Sequence, residues 1–203
     1  MELSAATTEA LPAPAETVRA VVVVPARDEE VRIGACLEAL ADQVEVGPEE
    51  FEVVVVLDAC EDGTAAVVEA FRGGGGPAIH VVPGPGKGAG PARATGMDIG
   101  CARLESLGCG DGLLAGTDAD SVVGRDWIAR QLEAIAGGAE AIGGEILLDP
   151  VEAAALPEGA LARREADLAA RARDAAARGP AEHAHFLAGR KSVWKERAAG
   201  TGS

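Results

Sequence analysis

AVVVVP, residues Ala20 to Pro25, is an apolar run without a polar break. Side chains of an extended segment alternate between its two faces, so a run with no polar position cannot leave either face in water. Such strands belong to parallel sheets covered on both sides. The pattern returns outward along the chain. FEVVVVLD (Phe51 to Asp58) is a second buried strand, AIHVV (Ala78 to Val82) a third, GLLAGT (Gly112 to Thr117) a fourth and AIGGEILL (Ala141 to Leu148) a fifth.

Helical patterns separate these runs. Ile33, Cys36, Leu37 and Leu40 form one stripe, with Asp28, Glu29 and Glu30 at its start, where carboxylates suit the helix dipole. GTAAVVEAF is a helix ended by Gly73 to Gly76, and Met97, Cys101 and Leu104 mark another. Trp127, Ile128, Leu132 and Ile135 mark a fourth. An Ala/Arg-rich helix is expected over 158–178, with Leu161, Leu168, Ala172 and Ala175 as its apolar face. Alternating strands and helices define an α/β domain: a mostly parallel sheet with helices on both faces. Ligands of such sheets bind beyond the carboxyl ends of the strands. The unusual polar clusters PARDEE, LDACEDGT, PGPGKGAG and TDADS all fall there.

Composition narrows the function classes. The 203 residues suffice for one α/β domain, and 48% hydrophobic content favours a packed globule. The 18 basic and 33 acidic residues give a formal charge of −15, which argues against nonspecific nucleic-acid binding. Cys36, Cys60, Cys101 and Cys109 form no C-x-x-C pair, and a reduced cytoplasmic chain is expected. No apolar run is long enough to span a membrane, and the N-terminus lacks the basic start and apolar block of a signal peptide.

Asp118 and Asp120 are like charges one residue apart. In an extended D-x-D both side chains share a side, a geometry that suits a divalent cation with hard oxygen ligands. A surface turn with two solvated acids accounts for the same residues. In PARDEE, Pro25 rigidifies the strand exit and Ala26 leaves room for a flat ligand. Asp58 ends its strand, where a carboxylate can accept an N–H from a base such as uracil, while Asp62 is placed to cap the next helix. PGPGKGAGPA, too rich in Pro and Gly for regular structure, has the glycine content of a phosphate-cradling loop without P-loop spacing. Lys87, the only lysine before Lys191, either neutralises ligand charge or solubilises a surface loop, and Arg93 follows at the next helix.

In order and spacing, VVVVPARDEEVRIGACLEAL, VVVVLDACEDGT, GKGAGPARATG and LLAGTDADSVVGRDWI resemble family 2 glycosyltransferases of the GT-A fold. The family's first motif commonly reads P-A-Y-N-E-E; here it is P-A-R-D-E-E. Its second often reads D-D-G-S-T-D-G-T; here Leu57 replaces the first Asp and Asp58 matches the second. Asp118 and Asp120 match its metal motif.

The resemblance covers residues 20–150 and implies a nucleotide-diphospho-sugar donor, with UDP favoured. Pro25, Ala26, Arg27, Glu29 and Asp58 would surround the nucleoside, and Lys87 would lie near the base or diphosphate. Asp118 and Asp120 would hold the ribose and the Mg2+ or Mn2+ on the diphosphate, with Ala119 in the same donor-binding set.

The expected organisation is a flexible lead-in (1–19), a donor-binding core (20–150), and a helix and short tail (151–203) as remnant of the acceptor region. Inverting members take a general base from a later Asp or Glu. Here the chain reads RKSVWKERAAGTGS after EHAHFLAG, which looks short for the family, and no base is assigned. Glu182, His183 and His185 are stand-ins or solvated tail residues. The alternatives are a donor-binding module without transfer and a nucleotidyltransferase. The latter is disfavoured because no glycine-rich, Arg- and Lys-bearing loop follows the first strand. Acceptor and oligomeric state are left open.

Overall fold

The computed structural model of the chain describes residues 11–144 and 188–190 and, between them, residues 147, 153–157, 159–160, 162–163, 166 and 169–170. It divides into two compact units, one of residues 1–142 and 188–203 and one of residues 143–187. In the second, Ala160 N donates to Pro157 O at 2.9 Å and Arg163 N to Gly159 O at 3.1 Å, turns of helical type. The apolar face expected there lies outside the described residues, as do Glu182, His183 and His185.

The first unit contains β1 (Ala20–Ala26), α1 (Ile33–Ala41), β2 (Phe51–Leu57), α2 (Thr64–Phe71), β3 (Ala78–Pro83), α3 (Ala89–Ser106), β4 (Leu113–Gly116), α4 (Trp127–Ala136), β5 (Ala141–Ile142) and β6 (Ala188–Arg190). Sheet order is β3-β2-β1-β4-β6-β5. The strands β3, β2, β1 and β4 run parallel, and β6 is antiparallel to both β4 and β5. β1 is thus an inner strand, as its unbroken apolar run requires, flanked in register by Phe51–Leu57 and Leu113–Gly116.

The fifth strand ends earlier than expected. Gly143 and Gly144 follow Ile142 outside the strand. Glycine gains no side-chain packing there and loses the most backbone freedom on ordering. A strand at 188–190, in the segment expected as tail, joins the sheet instead.

The pleat divides the valine run between two cores. Val22, Val24, Val53 and Val55 face Ile33, Leu37, Leu40, Val68 and Ile128 from α1, α2 and α4. Val21, Val23, Val54 and Val56 face Ala92, Met97, Cys101 and Leu104 from α3. Val21 to Val24 are all fully buried, and each such side chain contributes about 1.5–3 kcal/mol.

On its face α3 lies close to the strands. A Cβ at Gly96 would collide with Val23 and Val56, and one at Gly100 with Leu114 and Val21. The helix begins at Ala89, inside the Pro/Gly-rich stretch expected to be irregular. Pro91 falls in its first turn, where the missing N–H has no helical partner to lose.

The same face is completed by Val18 and Leu11. Flexibility was expected of the lead-in, but Leu11 to Arg19 is held. Thr17 Oγ1 donates to Glu49 O at 2.7 Å, and Arg103 Nη1 donates to Pro12 O at 2.9 Å. Arg103 also forms a bidentate pair with Glu52, through Nε at 2.6 Å and Nη2 at 2.9 Å. His80 Nε2 lies 3.1 Å from Arg103 Nη2, and all three side chains are buried. Burial would raise the Glu52 carboxyl, but hydrogen bonds from His80 and Arg103 and the Arg103 charge outweigh it and hold the group down at about 2.

Candidate functional site at the carboxyl ends of the strands

Three ladder bonds continue past the strands. Asp58 N donates to Ala26 O at 2.8 Å, Gly84 N to Leu57 O at 2.7 Å and Thr117 N to Val23 O at 3.1 Å. They bring the ends of β1, β2, β3 and β4 side by side, so the four polar clusters of the sequence meet.

The first two clusters bind each other. Asp28 Oδ1 accepts Glu61 N at 2.7 Å, and Glu30 Oε2 accepts Gly63 N at 2.7 Å. In return Glu30 N donates to Asp62 Oδ2 at 3.1 Å and Glu29 N to Thr64 Oγ1 at 2.8 Å. Asp28 and Glu30 therefore brace the neighbouring loop. They do not serve the α1 dipole, since the first turn of α1 holds no acidic residue. Asp62 acts as a cap one position early: its Oδ1 accepts Thr64 N at 2.9 Å, while Gly63 is the capping residue by position.

Asp58 is buried, and backbone amides of the loop before α3 engage both of its oxygens. Oδ1 accepts Gly86 N at 2.6 Å and Oδ2 accepts Gly88 N at 2.7 Å. The sequence suggested a carboxylate open to a ligand; the fold supplies it with two donors.

At the fourth end the chain turns instead of staying extended. β4 stops at Gly116, and Asp118 O accepts Ser121 N at 3.1 Å. The Cys36 thiol also reaches this carbonyl, at 3.5 Å. The turn, and not strand alternation, brings Asp118 and Asp120 to a common cavity. Arg93, from α3, donates its Nη2 to Asp118 Oδ1. Its Nε is buried with no hydrogen-bond partner among the described residues. Gln43 steadies this region, accepting Ile128 N at 3.0 Å and donating to Gly124 O at 2.8 Å.

A cavity of about 240 Å3 opens among these ends. Pro25 and Ala26 line it from the end of β1, Arg27 and Glu29 from the segment after β1, Asp58 from just after β2, and Asp118, Ala119 and Asp120 from the turn after β4. Ala89, at the start of α3, completes it. That residue was not legible beforehand, because a small apolar residue inside PGPGKGAGPA carries no chemical signal. Lys87 is exposed and stands two residues before Ala89, outside the lining.

Negative charge dominates the cavity. Burial, and then the charge of Asp120, raise the Glu29 carboxyl above its usual range. Burial pushes the Cys36 thiol up to about 12, with Asp120 and Asp118 adding to it. The Asp120 carboxylate accepts one hydrogen bond among the described residues, from the Ser121 hydroxyl at 3.5 Å. Among the described residues no group of three or more His, Cys, Asp or Glu side chains converges as a complete metal site.

A mostly parallel sheet with a cavity of this kind at its carboxyl edge defines an α/β domain of GT-A type. The chain belongs to glycosyl transferase family 2, whose family model matches residues 21–192. No curated protein sequence matches it significantly. Among solved structures it is similar to S. aureus TarS 1-349 in complex with UDP-GlcNAc, with 22% identity and a TM-score of 0.50 over 65% of this chain and 37% of that one. It is also similar to the mannosyltransferase PcManGT from Pyrobaculum calidifontis in complex with GDP-Man and Mn2+, with 22% identity and a TM-score of 0.42 over 64% of this chain and 41% of that one. The chain thus spans less than half the length of these structures. Among the described residues no helix is long and apolar enough to cross a membrane.

Proposed function

We propose that the cavity binds the nucleoside diphosphate of a nucleotide-sugar, with UDP favoured, and that the domain transfers the sugar to an acceptor hydroxyl with the help of Mg2+ or Mn2+. The observation that carries this is the meeting of all four motif segments at one sheet edge, where Glu29, Asp118 and Asp120 face a single cavity. An excess of carboxylates there is unfavourable unless a cation is shared with them.

Pro25, Ala26 and Glu29 wall the nucleoside, Asp58 lines the cavity with both oxygens already engaged by loop amides, and Ala119 keeps the ribose side small. Arg27 borders the nucleoside, and Lys87 is a nearby cation for the base or diphosphate. Asp118 and Asp120 would hold the metal. Their oxygen donors are hard, and two carboxylates leave most of the coordination shell to phosphate and water, the usual arrangement for Mg2+. When bound, the ion neutralises charge on the leaving nucleoside diphosphate. Arg93 restrains Asp118 through the existing ion pair. No acceptor-activating base is assigned. Four free thiols fit a reducing compartment, and we place the domain in the cytoplasm.

The test is calorimetry with UDP, GDP and their sugars, with and without Mn2+, followed by assays of donor hydrolysis and transfer. UDP binding strengthened by Mn2+ is expected. Absence of binding by every nucleoside diphosphate would overturn the reading. Binding without hydrolysis or transfer would reduce the domain to a donor-binding module.

A further inference from the structure

The loop Gly84–Gly88 carries the only lysine among the described residues and leads into the helix whose first residue lines the cavity. Its own sequence cannot hold it in one shape, since Gly86 and Gly88 take φ of 70° and 95°. Apart from the ladder bond at Gly84 and the helical bond from Ala92 N to Gly88 O, its hydrogen bonds among the described residues go to one side chain. That side chain is Asp58, only 1% exposed, which accepts Gly86 N and Gly88 N with its two oxygens. The fit is close: a Cβ at Gly84 would sit 2.9 Å from Asp58 Cα and 2.6 Å from Oδ1. Ala59, next in the chain, is itself in the left-handed region at φ 57°, a conformation unfavourable for alanine by about 1 kcal/mol.

We propose that Asp58 is a positioning residue of the donor site: its carboxylate moulds the Gly84–Gly88 loop and so sets Lys87 and the start of α3 at the cavity. This rests on the donor-site reading above. The chemistry is specific to a carboxylate. Bonds from neutral N–H groups to an ionised oxygen are stronger than neutral ones, and both oxygens must accept. Asparagine has one oxygen and one NH2, so it can accept only one of the two amides. Glutamate adds a methylene where Gly84 already leaves no space.

Three measurements test this: one without ligand, one with UDP and one with uridine. Amide exchange followed by NMR in the free protein should show Gly86 and Gly88 protected in the parent. At least one should lose protection in Asp58→Asn. With UDP, Lys87→Ala should weaken binding by about tenfold in the parent and by less than about twofold in Asp58→Asn, because the lysine is then no longer held. Uridine, which has no phosphate, should bind the parent and Asp58→Asn within about threefold of each other.

Unchanged amide protection, or an undiminished Lys87→Ala effect in Asp58→Asn, would overturn the proposal. Equal losses for uridine and UDP would make Asp58 a direct base contact instead. Should Asp58→Asn fail to fold, Gly86→Ala strains the loop at the same point while leaving the carboxylate in place, and the same cycle applies. If the parent binds neither UDP nor uridine, the donor reading falls, while amide protection still decides whether Asp58 shapes the loop.

Discussion

Glu52 and Glu29 are the same side chain at opposite ends of the same sheet, and the fold treats them in opposite ways. Glu52, near the amino end of β2, is sealed between Arg103 and His80 and titrates at about 2. Glu29, beyond the carboxyl end of β1, is partly buried beside Asp120, and its carboxyl is raised. Both lose solvation. The difference lies in what replaces the water: a fork of donors at one end, further carboxylates at the other. The first arrangement closes a structure, and the second leaves charge for something else to balance.

Breaking the closed end should have the largest effect. Glu52→Ala strands Arg103 in the interior and should lower stability by about 3–5 kcal/mol, read by denaturant unfolding. If the two ends are independent, nucleotide affinity of the folded fraction should be unchanged.

Acid should act at the same place. Glu52 is depressed in the folded state, so its contribution is complete above the ordinary carboxylate range near 4.5 and is lost as pH falls through about 2. The shift from 4.5 to about 2 corresponds to about 3 kcal/mol. Stability measured between pH 5 and 2 should fall in the parent and less steeply in Glu52→Gln.

At the open end the effects should be on binding. Asp120→Ala should remove the Mn2+-dependent part of UDP affinity, a loss of about tenfold or more in calorimetry, with thermal stability nearly intact. Asp118→Ala should weaken binding as well and leave Arg93 unpaired. Unchanged metal dependence in both variants would reduce this end to a solvated acidic turn.

The smallest effect is also the sharpest contrast. The raised Glu29 carboxyl penalises the folded state once ionised, so stability tied to it falls as pH rises from about 4.5 through its folded value. Glu29→Gln should therefore raise stability at pH 7, by no more than about 0.5 kcal/mol, and not at pH 3. A loss at pH 7 would mean that Glu29 is held by donors, as Glu52 is.

The sequence by itself determined the four parallel strands of the sheet. A run such as Val21 to Val24 has no polar face, and only an inner strand of a covered parallel sheet can bury it. It also determined where the candidate site lies, because its polar clusters fall at strand ends and parallel topology puts those ends together. Tertiary structure decided what each acid does. Asp28 and Glu30 brace the β2 loop, Asp58 binds two glycine amides, and Asp118 pairs with Arg93. None of these partners is local: they lie 25 to 33 residues away along the chain.

The buried cluster of Glu52, His80 and Arg103 escaped the sequence reading for the same reason, since an isolated Glu, His and Arg carry no periodic signal. Helix α3 was visible only through Met97, Cys101 and Leu104, because it meets the sheet with Gly96 and Gly100, residues that hydrophobic patterns do not count. Periodicity records which face is apolar, whereas a carboxylate's role depends on which donors the fold brings within 3 Å of it.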